Sequence, residues 1–192
     1  QGGGSSHINA SRVSNALEIA EEKGMNVIYA EGFPFDKDEA NSKDFTEALA
    51  IAKAADVAVV FAGLPDIMES EGYDRAHMRL PDCQNALISK ILAVQKNTVV
   101  VLHNGSPVEL PWADDAAAVL EMYLGGQGVG EATDALLYGD ANPSGRLPES
   151  FPYKLSDNPS YLNFPGDGKN VAYAEGVYVG YRYYEAKEMP VR

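Results

Sequence analysis

Two short runs of β-branched and apolar residues, within Ala55 to Gly63 and Thr98 to Leu102, constrain the fold of this chain more than any other feature. Each reads as a buried strand, and between them Leu87, Ile88, Ile91 and Leu92 share one helical face, with Pro81 near the helix start. A strand, a crossover helix and a second strand form a βαβ unit, because parallel neighbours cannot be joined by a tight turn. The same alternation runs through most of the sequence. Val13, Ala16, Leu17 and Ala20 make a helical face that Gly24 stops, and Asn26 to Ala30 is expected as a strand. Phe45, Ala48, Leu49 and Ala52 make the helix before the first run; Ala116 to Leu124 reads as another strand, and Ala132, Ala135 and Leu136 as a short helix that Gly139 ends. Beyond it, Asn142-Pro143-Ser144-Gly145 and Asp157-Asn158-Pro159-Ser160 mark turns, and the tyrosine-rich tail is expected to wrap irregularly before a late strand around Val177 to Tyr184. The pattern predicts an α/β fold: a layered sandwich with a mostly parallel sheet of about five to six strands flanked by helices.

Composition bounds the rest. With 192 residues, 45% of them hydrophobic, one globular domain over 1–192 is expected. A net charge of −13 argues against nucleic acid or an anionic membrane as partner, since phosphate binders carry a basic face. No apolar run approaches the roughly 20 residues of a membrane span, and the start lacks the basic-then-apolar pattern of a signal peptide. The chain reads as soluble, with the compartment, cytoplasmic or secreted, left open. Cys83 is alone, so no intrachain disulfide forms, and it reads as a small helix residue rather than a nucleophile. Only His7, His77 and His103 are present, scattered, so no metal site is expected.

The motifs differ in weight. Gly125-Gly126-Gln127-Gly128-Val129-Gly130 lies between a strand and a helix, yet neither the dinucleotide nor the phosphate-loop spacing can be drawn through it. A tight turn with close backbone packing is the better reading. Ser106 lacks both the nucleophile-elbow spacing and a triad. Glu69-Ser70-Glu71-Gly72-Tyr73-Asp74-Arg75 stands apart, because it sets two carboxylates on a loop directly after a strand. Spacing alone fits a solvated acidic surface. Position raises it, because ligands in α/β sheets gather beyond the carboxyl ends of strands, and Asp74-Arg75 can form a local pair that fixes the loop. A carboxyl group held near apolar surface or another carboxylate can donate a proton near neutrality. Tyr73 and Trp112 are candidate sugar-stacking surfaces, although a lone Trp after a proline reads more simply as a packing anchor.

These residues carry a family likeness. Glu69 to Arg75, then Asn97 to Leu102 running into Gly105-Ser106-Pro107-Val108-Glu109-Leu110-Pro111-Trp112, then Gly126-Gln127 leading to Gly139 to Pro148, resemble the C-terminal α/β-sandwich domain of glycoside hydrolase family 3 β-glucosidases. Glu175 to Tyr184 is similar to the family's closing strand region, and Gln1 to Asn9 to another family segment, which displaces a flexible-linker reading of Gly2 to Ser6. The resemblance implies an active site between a (β/α)8-like barrel and this domain. The barrel would supply an aspartate nucleophile, and a loop of this domain the general acid/base. Carried onto this sequence, the acid/base falls on Glu71, with Glu69 in reserve, and Tyr73 is a substrate-binding candidate. No barrel sequence is present, and the first sheet strand that normally precedes Gln1 to Ser6 is missing, so the chain is expected to be a fragment of a larger enzyme. The implied reaction is retaining hydrolysis of terminal β-D-glucosyl residues without metal or organic cofactor. The implied partners are a β-glucoside or oligosaccharide substrate and the barrel domain of the same enzyme. A non-catalytic carbohydrate-binding or structural module is the alternative.

Overall fold

The computed structural model describes residues 7–34, 37–39 and 42–192, the side chains of 42–44 excepted. The segment 1–6, read above as a family segment, lies outside the described residues. The chain divides into two compact units: one from Gln1–Arg75, Leu80–Ser106 and Trp112–Ser144, the other from Ala76–Arg79, Pro107–Pro111 and Gly145–Arg192.

The first unit is built on three parallel strands, β1 (Ala58–Gly63), β2 (Thr98–His103) and β3 (Ala118–Glu121), in the order β1-β2-β3. Val60 pairs with Val100 and Val100 with Val119, so the β-branched runs lie side by side. Helix α3 (Asp82–Val94) is the crossover from β1 to β2 and packs on both. Its buried face is Cys83, Gln84, Leu87, Ile88, Ile91 and Leu92, the periodicity read from sequence. Pro81 at its N-cap has no side chain to offer the first amides. The Asp38 carboxylate reaches in from a distant loop instead, accepting from the Asp82 and Cys83 N–H groups at 2.9 and 2.8 Å. Helix α2 (Ser42–Ala54) packs on α3 with Phe45, Ala48 and Ala52 buried. Helix α1 (Ala16–Glu22) packs on α4 (Val129–Leu137), and Gly24 and Gly139 follow them with φ of +70° and +80°.

The α/β class with a parallel sheet flanked by helices agrees with the sequence reading, and four expectations are corrected. Five to six strands were expected, and three pair among the described residues. The segment 26–30 is not a strand: it pairs with no neighbour among the described residues and leaves Ile28 and Tyr29 exposed. Around 177–184 the chain forms no strand either. Gly180, at φ +57°, turns it into helix α5 (Tyr181–Ala186), which buries Tyr184 on one face. Tyrosine's preference for strands yields there to local packing. Finally, β1 is not buried on both faces: Ala58, Val60 and Ala62 are buried, while Val59 and Phe61 on the opposite face are exposed.

The glycine cluster is structural. A Cβ on Gly130 would come within 2.7 Å of the Asn15 backbone, and Gly126 sits at φ +68°, so the residues allow a turn and a close backbone approach. Cys83 is buried in the first turn of α3, and burial, the largest cause, pushes its thiol up to about 11, far from nucleophilic. Trp112 is buried, and its Nε1–H donates to Asn85 Oδ1 at 2.9 Å, which makes it a packing anchor and not a sugar platform.

Candidate active site

β1 ends at Gly63, where the chain passes too close to β2 for any side chain: a Cβ would lie 2.0 Å from the His103 carbonyl oxygen. The loop that follows folds back on itself. Ser70 and Tyr73 form an antiparallel bridge, and the Tyr73 hydroxyl shares its one hydrogen between the carbonyls of Ile67 and, at 3.1 Å, Asp66. Glu71 and Gly72 are thereby left at an exposed hairpin tip.

The two carboxylates of the loop meet different fates. Glu69 turns onto the loop after β2, where Oε2 accepts from the Gly105 N–H and Oε1 from the Ser106 hydroxyl, each at 2.8 Å. Arg75 closes the arrangement by donating from Nη2 to Ser106 Oγ at 2.8 Å. Desolvation lowers the Arg75 guanidinium from its ordinary value and the Glu69 charge opposes that, which leaves it cationic at neutral pH. Asn104, fully buried, extends the network: Nδ2 donates to the Ser106 carbonyl at 3.0 Å and to Glu121 Oε2 at 3.1 Å. Glu121 Oε1 in turn accepts from the Tyr123 N–H at 2.8 Å. The carboxyl ends of all three strands are tied together by side chains, and Glu71 lies exposed at the tip of the hairpin.

His103 ends β2 with its ring stacked on Phe61, centroids 6.3 Å apart, and its Nδ1 3.2 Å from the Tyr123 carbonyl. Burial lowers its pKa below the ordinary 6.5, and the Tyr123 carbonyl offsets this only in part. The unfolded chain therefore binds the extra proton more readily than the folded one. Stability from the neutral ring is complete above pH 6.5 and is lost as pH falls through the lowered folded value. Replacing His103 with asparagine should flatten the acid side of the Tm-against-pH curve. An unaltered slope between about pH 7 and pH 5 would contradict this.

The structure brings Glu69, Arg75 and Ser106 together and sets Glu71 apart at the tip. Tyr73 has its hydroxyl engaged within the loop and its ring half exposed, so only the ring face is presented. The roles of Arg75 and Ser106 were not visible from sequence: Ser106 was weighed only as a nucleophile, and Arg75 only as a partner for Asp74. Among the described residues no group of three or more His, Cys, Asp or Glu side chains could hold a metal ion, and no helix is long and apolar enough to cross a membrane. A cavity of about 500 Å³ in the second unit is lined by Pro159, Glu175, Tyr178, Tyr183 and Lys187, and the carboxylate loop takes no part in it.

Comparison with known proteins adds the lineage. The model of the glycosyl hydrolase family 3 C-terminal domain matches residues 1–181. The thermostable beta-glucosidase B of Acetivibrio thermocellus is 53% identical over 97% of this chain, and an exo-alpha-(1->6)-L-arabinopyranosidase of Bifidobacterium longum is 44% identical over 96%. The chain spans 25% of the length of each. The solved Bifidobacterium adolescentis GH3 beta-glucosidase superimposes with a TM-score of 0.94 at 41% identity, covering all of this chain and 28% of that one.

Proposed function

The chain belongs to the glycosyl hydrolase family 3 C-terminal domains, and from that premise we propose that it is the acid/base-bearing domain of a retaining, exo-acting β-glycosidase of the β-glucosidase type. Glu71 is the acid/base. The observation that carries the reading is its placement: an exposed carboxylate at the tip of a hairpin anchored beyond the carboxyl end of β1, where loops of α/β sheets carry chemistry.

In retaining hydrolysis two carboxyl groups stand about 5 Å apart across the scissile bond. Glu71 first protonates the glycosidic oxygen as the nucleophile attacks the anomeric carbon, and then removes a proton from the water that hydrolyses the glycosyl intermediate. The nucleophile, an aspartate, comes from a barrel domain outside this chain, in keeping with the quarter of its relatives' length that the chain spans. The ring face of Tyr73 offers a stacking surface for the sugar. One relative is named a β-glucosidase and another an arabinopyranosidase, so membership of this domain family does not by itself fix the sugar.

Proton NMR of early 4-nitrophenyl β-glucoside turnover by the full-length protein should show β-glucose appearing before its α-anomer. First appearance of α-glucose would overturn retention. The isolated chain should leave aryl β-glucosides intact, and substantial turnover by it would overturn the external nucleophile. Sugar binding by a full-length protein that hydrolyses no glycoside would favour a carbohydrate-binding module.

A further inference from the structure

Resting on Glu71 as the proton donor, we propose that Glu69, Ser106 and Arg75 are positioning residues, a clamp that holds the hairpin tip at the distance and angle proton transfer requires. The reasoning begins with how the hairpin is held. The Ser70–Tyr73 bridge and the Tyr73 hydroxyl bonds give the tip its shape, but all of these lie inside the loop. They do not fasten it to the sheet.

The clamp does. Glu69 lies two residues before Glu71 and Arg75 four residues after it, and both side chains close on one atom, Ser106 Oγ. A serine hydroxyl has one hydrogen to donate and lone pairs that accept. It donates to Glu69 Oε1 and accepts from Arg75 Nη2, each at 2.8 Å, so both directions of the hydroxyl are used. The second oxygen of Glu69 takes the Gly105 N–H. Gly105 itself suits the contact: a Cβ there would stand 3.0 Å from Glu69 Oε1, at the limit of tolerable approach. Ser106 is in turn held from the sheet side by buried Asn104, whose Nδ2 donates to the Ser106 carbonyl. Both stems of the hairpin are thus bolted to the end of β2 through charge-assisted hydrogen bonds, the stronger class.

This geometry separates the roles of the two glutamates. Both Glu69 oxygens accept hydrogen bonds from the protein, so its carboxylate works as an acceptor that fixes a loop. Glu71 stands at the solvent-facing tip, where a glycosidic oxygen can reach it. A general acid acts only within about 2.6–3.2 Å of the atom it protonates. Loosening the stems should therefore cost proton transfer selectively, and not the attack of a nucleophile carried elsewhere.

The test uses the full-length protein with Ser106→Ala, Ser106→Thr and Glu71→Gln, each on cellobiose and on 2,4-dinitrophenyl β-glucoside, whose leaving group departs without protonation. Ser106→Ala should lower kcat on cellobiose by roughly 10–100-fold, the scale of an ångström-sized misplacement. KM on cellobiose should change little, the burst of dinitrophenolate should be released nearly as fast as from the unaltered enzyme while the steady rate after it falls, and the threonine variant, which keeps the hydroxyl, should recover most of the loss. Azide should accelerate Glu71→Gln on the activated substrate far more than Ser106→Ala, whose retained carboxylate repels the anion. Equal losses for Ser106→Ala in the cleavage step of both substrates, or none, overturn the clamp, and the Glu71 assignment survives if its own variant keeps the leaving-group signature. If Glu71→Gln lacks that signature and Glu69→Gln shows it together with azide rescue, Glu69 is the acid and both readings fall.

Discussion

Replacing Glu71 by glutamine in the full-length protein should lower kcat/KM on cellobiose by about 10²–10⁴-fold, the usual worth of a positioned general acid. The same change should barely slow the cleavage step on 2,4-dinitrophenyl β-glucoside. The physical reason is the leaving group. A sugar alkoxide is a strong base and departs only as it is protonated, whereas dinitrophenolate departs unaided. Glutamine matches glutamate in shape and has no acidic proton. Because Glu71 is exposed at a hairpin tip, its substitution should alter stability by no more than about 0.5 kcal/mol, so lost activity cannot be lost folding. The second step should suffer as well, since the activating base for water is gone. The activated substrate should then give a burst of phenolate followed by a slow steady rate. Steady-state and rapid-mixing kinetics on the two substrates decide the matter. A uniform loss across leaving groups would remove Glu71 from the acid/base role.

The second large effect lies in the scaffold. Ile88 is fully buried on α3, the helix that packs on β1 and β2. Ile88→Ala should cost about 2–5 kcal/mol, from lost transfer energy together with the cavity left in a core that relaxes only in part. At about 2–4 °C per kcal/mol for a domain of this size, Tm should fall on the order of 10 °C. Val94, on the same helix and 44% exposed, provides the contrast, and its alanine variant should shift Tm by a small fraction of that. Calorimetry or thermal circular dichroism on the pair checks the assignment. Similar shifts for the two variants would mean that the buried face of α3 has been placed wrongly.

The helices were legible because burial at helical spacing leaves its mark locally. Leu87, Ile88, Ile91 and Leu92 identify the inner face of α3 without reference to any partner. Strand segments were harder, since a strand exists only when a neighbour completes its ladder. The residues 58–63 and 98–103 found partners in each other; 26–30 found none among the described residues and 177–184 turned at Gly180, although all four stretches looked alike as short apolar runs. Trp112 was read correctly as an anchor because a buried indole needs only one acceptor, which Asn85 supplies.

The site divides along the same line. That a carboxylate pair follows a strand in an α/β sheet is written in the order of residues, and so is the likeness that places the chain in its family. What distinguishes Glu69 from Glu71 is not. They stand two residues apart in one acidic loop, and only the parallel register, with Gly63 opposite His103, brings the loop after β1 beside the loop after β2. There Glu69 meets Gly105 and Ser106, 36 and 37 residues away along the chain. Periodicity and turn chemistry act between near neighbours, so the order of residues already carries the α/β scaffold and the loop with the candidate acid. That Glu69 is the one tied to the loop after β2 is a tertiary matter, because hydrogen bonds form between groups that folding brings within about 3 Å, whatever their separation in the chain.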